Sequence, residues 1–286
     1  MMEKNREKGI LSSMECLDEM EHKDVSGMEC LDVMENRDVS GNFDGAEVHG
    51  KMKEYGTLYG IGVGPGDPEL LTVKAVKRIK EAEVLLLPVE PKEECYAYRI
   101  VKSLLPEIGE KQIVCRSFPM SCDKCIVEKF HEQVSHEILE FLREGKHVAF
   151  LTLGDPTVYS TYHYIHRRVV SGGAHAEIIS GIPSFCAVAA RLGISLADRS
   201  EQLHVIPGSY DVDEALQLKG TLIFMKTGKK LKELCDYIQE KMKPEECEIY
   251  AVSNCGMENE QVYQGRQIFE ATDSTGEYLT TVIVRR

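Results

Sequence analysis

From Leu58 onward the chain alternates between two hydrophobic rhythms. Short apolar runs at 58–63, 84–87, 113–115, 148–153 and 177–179 are aliphatic or β-branched and bounded by Gly or Pro, which predicts buried strands. Between them, apolar residues recur at helical spacing over 69–82, 95–105, 125–142 and 158–170. Strand and helix in strict alternation predict a parallel sheet with helices on both faces, and a ligand beyond the carboxyl ends of the strands. After Gly181 the pattern continues with a helix at 183–192, strands at 203–206, 222–225 and 249–252, and helices at 212–218 and 230–241. The tail segments "QVYQGRQIFE" and "LTTVIVRR" alternate with period two and read as antiparallel strands. The expectation is therefore an α/β protein of two domains: a parallel-sheet N-terminal domain over 55–178 and a mixed-sheet C-terminal domain over 179–286, with the boundary near 171–181.

Residues 1–54 follow neither rhythm. They contain a tandem repeat, "MECLDEMEHKDVSG" then "MECLDVMENRDVSG", identical at 11 of 14 positions. Two such units cannot bury a core, because repeat architectures need several stacked copies. The segment reads as a disordered extension with transient helix, in which a Met-Leu-Met stripe offers a docking face. Met52, just ahead of the first strand, is a candidate alternative start.

Composition narrows the function classes. With 43% hydrophobic residues in 286, the chain can build a packed core, and no run approaches the roughly 20 apolar residues of a membrane span. A cytoplasmic protein is expected, with its ten cysteines reduced. Cys122 and Cys125 form one C-x-x-C without the second pair a zinc ribbon needs, so the pair reads as a helix start and no metal is expected. The formal charge of −13 argues against nucleic acid, which needs clustered Lys and Arg. Residues 1–54 hold 14 acidic and 7 basic side chains, more than half of that excess, so the body of the chain is only mildly acidic.

Three corners carry the candidate chemistry. The first, "GVGPGDPELLT" from Gly62, does not fit the dinucleotide G-x-G-x-x-G, because Pro65 and Asp67 stand where the third glycine would be; nor does Gly-Lys-Ser/Thr follow, as a P-loop requires. Asp67, Pro68 and Glu69 instead supply an N-cap, a first helical position and an acidic first turn, which disfavours phosphate but not a cationic or zwitterionic ligand. The second corner, "FLTLGDPTVYSTY", ends a strand in Gly154, Asp155 and Pro156; Asp155 either caps the next helix or receives ligand hydroxyl or ammonium groups. The third, "IISGIPSFCAVAARLG", repeats the device with Gly181, Pro183 and Ser184. Three such corners after strands predict one shared cleft.

"LYGIGVGPGDPELLTVKA", "LTLGDPTVYSTY" and "GIPSFCAVAARLG" together resemble the motifs of the tetrapyrrole (corrin and porphyrin) methyltransferases, most closely the branch that methylates C20 of precorrin-2 or cobalt-precorrin-2. The resemblance covers residues 56–286 and leaves the repeats without a counterpart. It implies a two-domain fold with S-adenosylmethionine in the cleft between domains, a tetrapyrrole substrate and a homodimer. It places Pro65 on the cleft, Leu153, Gly154 and Asp155 beside the amino-acid part or ribose of the cofactor, and Val158 close by. Ser184 and Phe185 match the pair after the third corner, and Met225, ending "LIFM", matches an adenine-side contact. Asn254 or Ser253, and Thr280, are weaker placements, because the distal motifs drift in length.

Methyl transfer from a sulfonium is an in-line displacement that asks mainly for alignment, and no nucleophilic triad is visible. Tyr159, Tyr162 and His163 are candidates by position alone for removing the C20 proton, and none is assigned as the base. A carboxylate-bearing substrate needs local cations, for which Arg116, Arg191, Arg199, Lys226, Lys229 and Lys230 lie near loop ends. A family member acting on another ring position or another target, and a non-catalytic binding module, are the alternatives.

Overall fold

A computed structural model describes residues 55–119, 121, 123–227, 230–241, 247–271 and 279–286; the tandem repeat, Met52, Cys122 and Lys229 lie outside these. Five strands, β1 (Thr57–Gly62), β2 (Val84–Leu87), β3 (Gln112–Cys115), β4 (Val148–Thr152) and β5 (His175–Ile179), form one sheet in the order β3-β2-β4-β1-β5. Every pairing in it is parallel.

Both faces of this sheet are covered, which is why its central strands β1, β2 and β4 are buried at nearly every position rather than at every second one. Tyr59, Ile61, Leu85, Leu87, Ala149 and Leu151 pack under α1 (Val73–Glu81) and α2 (Tyr96–Leu104). Leu58, Val84, Leu86, Val148 and Phe150 point the other way, onto α3 (Lys124–Arg143) and α4 (Tyr162–Ser171). Gly60 belongs to this second face, where the Tyr162 ring takes its side-chain space: a Cβ on Gly60 would sit 2.0 Å from the ring.

The second sheet is mixed. β6 (Leu203–Pro207), β7 (Thr221–Met225), β8 (Glu248–Ser253), β9 (Gln261–Gln264) and β10 (Thr280–Arg285) run in the order β6-β7-β10-β8-β9. β6 pairs with β7 in parallel and the other three ladders are antiparallel. Leu222, Phe224, Ala251, Val282 and Val284 lie under α6 (Val212–Ala215), α7 (Leu231–Lys241) and α8 (Gln267–Ala271). The opposite face, with Ile223, Met225, Val252 and Ile283, receives Ala187 and Val188 of α5 (Ser184–Leu192) together with Leu70 and Val158 from the loops of the first sheet. Met257 returns the exchange by packing into the first sheet's core. The two halves therefore share apolar contacts across their junction.

Three expectations from the pattern need correction. The helix expected over 69–82 is broken: Pro68–Leu70 is a single 3-10 turn capped by Asp67, and α1 starts afresh with Thr72 accepting a hydrogen bond from the Ala75 amide. The helix expected over 158–170 begins only at Tyr162, because Tyr159 adopts a left-handed φ of 47° that no α-helix tolerates. In the tail, the strand ends at Gln264, and Gly265, at φ 55°, turns the chain into the short α8. The apolar positions of "RQIFE" serve helix packing there, with Ile268 in the core.

Candidate active site

The three glycine corners meet. Gly64 and Gly154 exchange both backbone hydrogen bonds, Gly154 N–H to Gly64 O at 2.8 Å and Gly64 N–H to Gly154 O at 3.3 Å, which ties the first corner to the second. A Cβ on Gly181 would lie 2.2 Å from the Gly154 carbonyl oxygen, and one on Gly62 would lie 2.6 Å from both that oxygen and the Gly181 nitrogen. Only glycine permits this approach of backbone to backbone. The glycines thus join three loops at the carboxyl edge of the parallel sheet; they do not form a phosphate cradle.

Asp155 completes the joint. Its Oδ1 accepts from the Thr157 amide at 2.7 Å and the Thr157 hydroxyl at 2.5 Å, and its Oδ2 accepts from the Gly181 amide at 3.0 Å. The side chain is buried. Asp155 does not cap the next helix, since α4 starts seven residues later with Thr161 at its N-cap making no side-chain bond. The carboxylate pins the second corner to the third.

Beside this joint opens a cavity of about 310 Å³ between the two sheets. Pro65, Leu153, Gly154, Asp155, Val158, Ser184, Met225 and Thr280, eight of the ten positions expected at a cofactor, line it. Phe185 and Asn254 do not. Phe185 packs into the apolar cluster under α5, and Asn254 is buried at a left-handed φ of 51°, turning the chain so that Cys255 faces the cavity instead. Loops after the other parallel strands contribute Pro88 and Val89, behind β2, and Phe118, behind β3. Those positions carry no glycine signal, although the rule that ligands sit beyond the carboxyl ends of all the strands points to them.

The wall is apolar with a band of hydroxyls. Ser184 Oγ lies 3.2 Å from Thr281 Oγ1, and Thr280 Oγ1 lies 2.8 Å from Ser253 Oγ. Hydroxyl rotors of this kind donate or accept as a ligand requires. Burial, reinforced by Glu260, pushes the Cys255 thiol up to about 11, so it faces the cavity protonated and weakly nucleophilic. Asp155 and Lys226 are the charged residues of the lining among those described.

The remaining expected groups lie elsewhere. Tyr162 is fully buried on the helix side of the sheet, 3.1 Å from His166 Nδ1, and burial holds its phenol well above the ordinary tyrosine range. His163 is exposed outside the cavity, whereas Tyr159 lines its mouth. Arg116 is held by Glu137 and Arg191 by Glu260, and neither lines the cavity; nor do Arg199 and Lys230. Among the described residues no cluster of His, Cys, Asp or Glu could hold a metal ion, and no helix is long and apolar enough to cross a membrane. Cys125 opens α3, where Asp123 accepts from its amide.

The cavity, at the carboxyl edge of a parallel sheet and roofed by a mixed sheet, sits in a chain that matches a known family over most of its length. The family model of the tetrapyrrole (corrin/porphyrin) methylases matches residues 57–267, and the chain belongs to that family. Within it, the chain is 34% identical over 230 residues to the probable cobalt-precorrin-2 C(20)-methyltransferase of Methanocaldococcus jannaschii, covering 80% of this chain and 96% of that one. It is 33% identical to the cobalt-precorrin-2 C(20)-methyltransferase of Salmonella typhimurium, over 60% of this chain and 73% of the relative. The crystal structure of a uroporphyrin-III C-methyltransferase from Thermus thermophilus complexed with S-adenosylhomocysteine has the same fold, with a TM-score of 0.59 at 20% identity over 81% of this chain and 98% of that one.

Proposed function

We propose that the protein transfers a methyl group from S-adenosylmethionine to C20 of precorrin-2 or its cobalt complex, a step of cobalamin biosynthesis. The observation that carries this reading is the convergence of three corners, whose motifs resemble the C20 branch, on one cavity. The two C20-methylating relatives support the ring position, and their names favour the cobalt-loaded substrate.

The lining fits the donor. About 310 Å³ lies at the small end of ligand pockets and suits one nucleoside-sized molecule. Met225 and Val252 offer an apolar surface for a base, and Ser184, Thr280 and Thr281 offer hydroxyls for polar groups. S-adenosylmethionine supplies an electrophilic methyl on sulfur, which an electron-rich meso carbon attacks in line. The chain's part is to hold donor and acceptor in that line and to exclude water, an effect worth roughly 7 to 11 kcal/mol where geometry is good. The Cys255 thiol, held protonated by burial, does not compete for the methyl group. A homodimer in the cytoplasm completes the reading, and light scattering that returns the mass of one chain would remove the dimer from it.

The test uses donor labelled with carbon-13 in the methyl group. After incubation with metal-free or cobalt-loaded precorrin-2, NMR should place the label on C20. A label on another ring carbon would reassign the chain within its family, and no transfer to either macrocycle would remove the reading.

A further inference from the structure

A fourth loop meets the three corners, and no motif marks it. It follows β8 as "NCGMENE", residues 254–260, and Cys255 within it lines the cavity. Its backbone interlocks with the first corner: a Cβ on Gly66 would stand 2.2 Å from Cys255 O, and one on Gly256, at φ 78°, would stand 2.6 Å from the Asp67 nitrogen. Glu260 ends the loop with a side chain only 15% exposed. Its Oε2 accepts from the Gly256 amide at 2.9 Å, and its Oε1 accepts from Arg191 Nε, in the last turn of α5, at 2.6 Å. That helix begins at the third corner with Ser184, another lining residue. The contacts form a closed circuit: first corner to second through Gly64 and Gly154, second to third through Asp155, third along α5 to Arg191, and from Arg191 through Glu260 to the fourth loop, which abuts the first corner. Asp155 and Glu260 hold matching places in it. Each carboxylate spends one oxygen on an amide of its own loop and the other on a remote segment.

We infer that Glu260 is a positioning residue of the donor site: it fixes the Cys255 corner relative to α5 and so sets the wall against which S-adenosylmethionine packs. This rests on the reading of the cavity as the donor site. Other contacts support the loop in a different way. Asn254 N–H donates to Leu279 O at 3.0 Å, Met257 N–H to Asn254 O at 2.9 Å and Glu260 N–H to Met257 O at 3.0 Å, which hold the turn to itself and to the start of β10. Cys255 shares an apolar cluster with Ala187 and Val188 of α5, and Met257 packs into the core of the first sheet. Apolar contact is non-directional, whereas charge-assisted hydrogen bonds from one carboxylate to two segments fix direction and distance. A chain altered at Glu260 therefore keeps its fold while its cavity wall loses a fixed position. The same carboxylate faces the Cys255 thiol and adds to the burial that keeps it protonated, so one side chain sets both the place of that thiol and its inertness.

The experiment compares wild type, Glu260→Ala and Glu260→Gln by calorimetry with S-adenosylhomocysteine and by steady-state kinetics on the accepted precorrin-2 form. Glu260→Ala is expected to weaken S-adenosylhomocysteine roughly tenfold, as loss of a charge-assisted hydrogen bond does, while the KM for the macrocycle stays within about twofold. Glu260→Gln keeps an oxygen for the Gly256 amide and gives up the ion pair, so it should recover part of the affinity. In wild type, S-adenosylhomocysteine should slow alkylation of Cys255 by iodoacetamide at alkaline pH, followed on its peptide by mass spectrometry, and the same ligand concentration should protect less in Glu260→Ala. Donor affinity unchanged in Glu260→Ala overturns the proposal. So does an equal loss of donor affinity and macrocycle KM with a lowered melting temperature, which would make Glu260 a support of the fold at large. If Glu260→Ala does not fold, Glu260→Gln carries the prediction at about threefold. Wild-type protein that binds no S-adenosylhomocysteine, or binds it without protecting Cys255, would instead overturn the reading of the cavity as the donor site.

Discussion

The tripeptide Gly-Asp-Pro occurs twice, at 66–68 and at 154–156, and the two copies do different things. Locally they are alike: each aspartate accepts a hydrogen bond from the amide two residues ahead, Asp67 from Glu69 at 2.8 Å and Asp155 from Thr157 at 2.7 Å. At the first copy the turn caps a 3-10 helix and the carboxylate stays partly exposed. At the second, burial brings the other oxygen against the Gly181 amide, so the same turn becomes a joint between loops 26 residues apart. The glycines differ as well. Gly66 is required for space, since a Cβ would stand 2.2 Å from Cys255 O, while Gly154 has nothing near it and is required for its φ of 73°. Identical local chemistry, then, does not fix the role; what the second oxygen and the glycine face across the fold does.

Substitutions that are equal on paper should separate the two copies. Gly66→Ala drives a methyl into backbone of the second half and should cost about 3 kcal/mol in denaturant unfolding. Gly154→Ala meets open space and should cost roughly 1 to 2 kcal/mol, the strain of a left-handed alanine. A larger penalty at Gly154 than at Gly66 would reverse the assignment. Asp155→Asn keeps the shape but sets an amide N–H₂ or a lost acceptor against either the Gly181 or the Thr157 donors, at about 2 kcal/mol. Asp67→Asn, an equally good cap, should stay within about 0.5 kcal/mol of wild type.

A smaller effect concerns α3 and α4, which pack on one face of the first sheet. Burial lowers the titration of His131 on α3 and His166 on α4 below the ordinary histidine value of 6.5, with Arg168 adding to the effect at His131. Folded histidines that resist protonation stabilise above pH 6.5, and that contribution is lost as the pH falls below it, because the unfolded chain then binds protons more readily. The melting temperature should therefore decline from pH 7.5 toward 5.5. His131→Phe, which preserves stacking on Tyr164, should make the decline shallower, and an unaltered slope would assign it to other groups.

Much of this was legible in the chain. The central parallel strands stood out because helices on both sides keep nearly all their positions apolar, and the three corners stood out because glycine and proline cluster there for steric reasons. What the sequence hid was tertiary. Tyr159 sits in a segment spaced like a helix, yet it takes a left-handed turn, with ties to Val205 and Lys226 across the fold. Arg116 and Arg191 read as available cations near loop ends, yet Glu137 and Glu260, 21 and 69 residues away from their arginines, occupy them. Phe118, Val89 and Cys255 reach the cavity from strand ends with no marker of their own.

Asp155 pins the second corner to the third and so completes, with the Gly64–Gly154 pair, the joint beside the proposed donor site. Calorimetric titration of S-adenosylhomocysteine into wild type, Asp155→Asn and Asp67→Asn tests it most directly. One site per chain is expected, with affinity about tenfold weaker in Asp155→Asn and unchanged in Asp67→Asn, and no competition by ATP or NAD. Equal affinity in all three proteins, or displacement of the ligand by NAD, would contradict it.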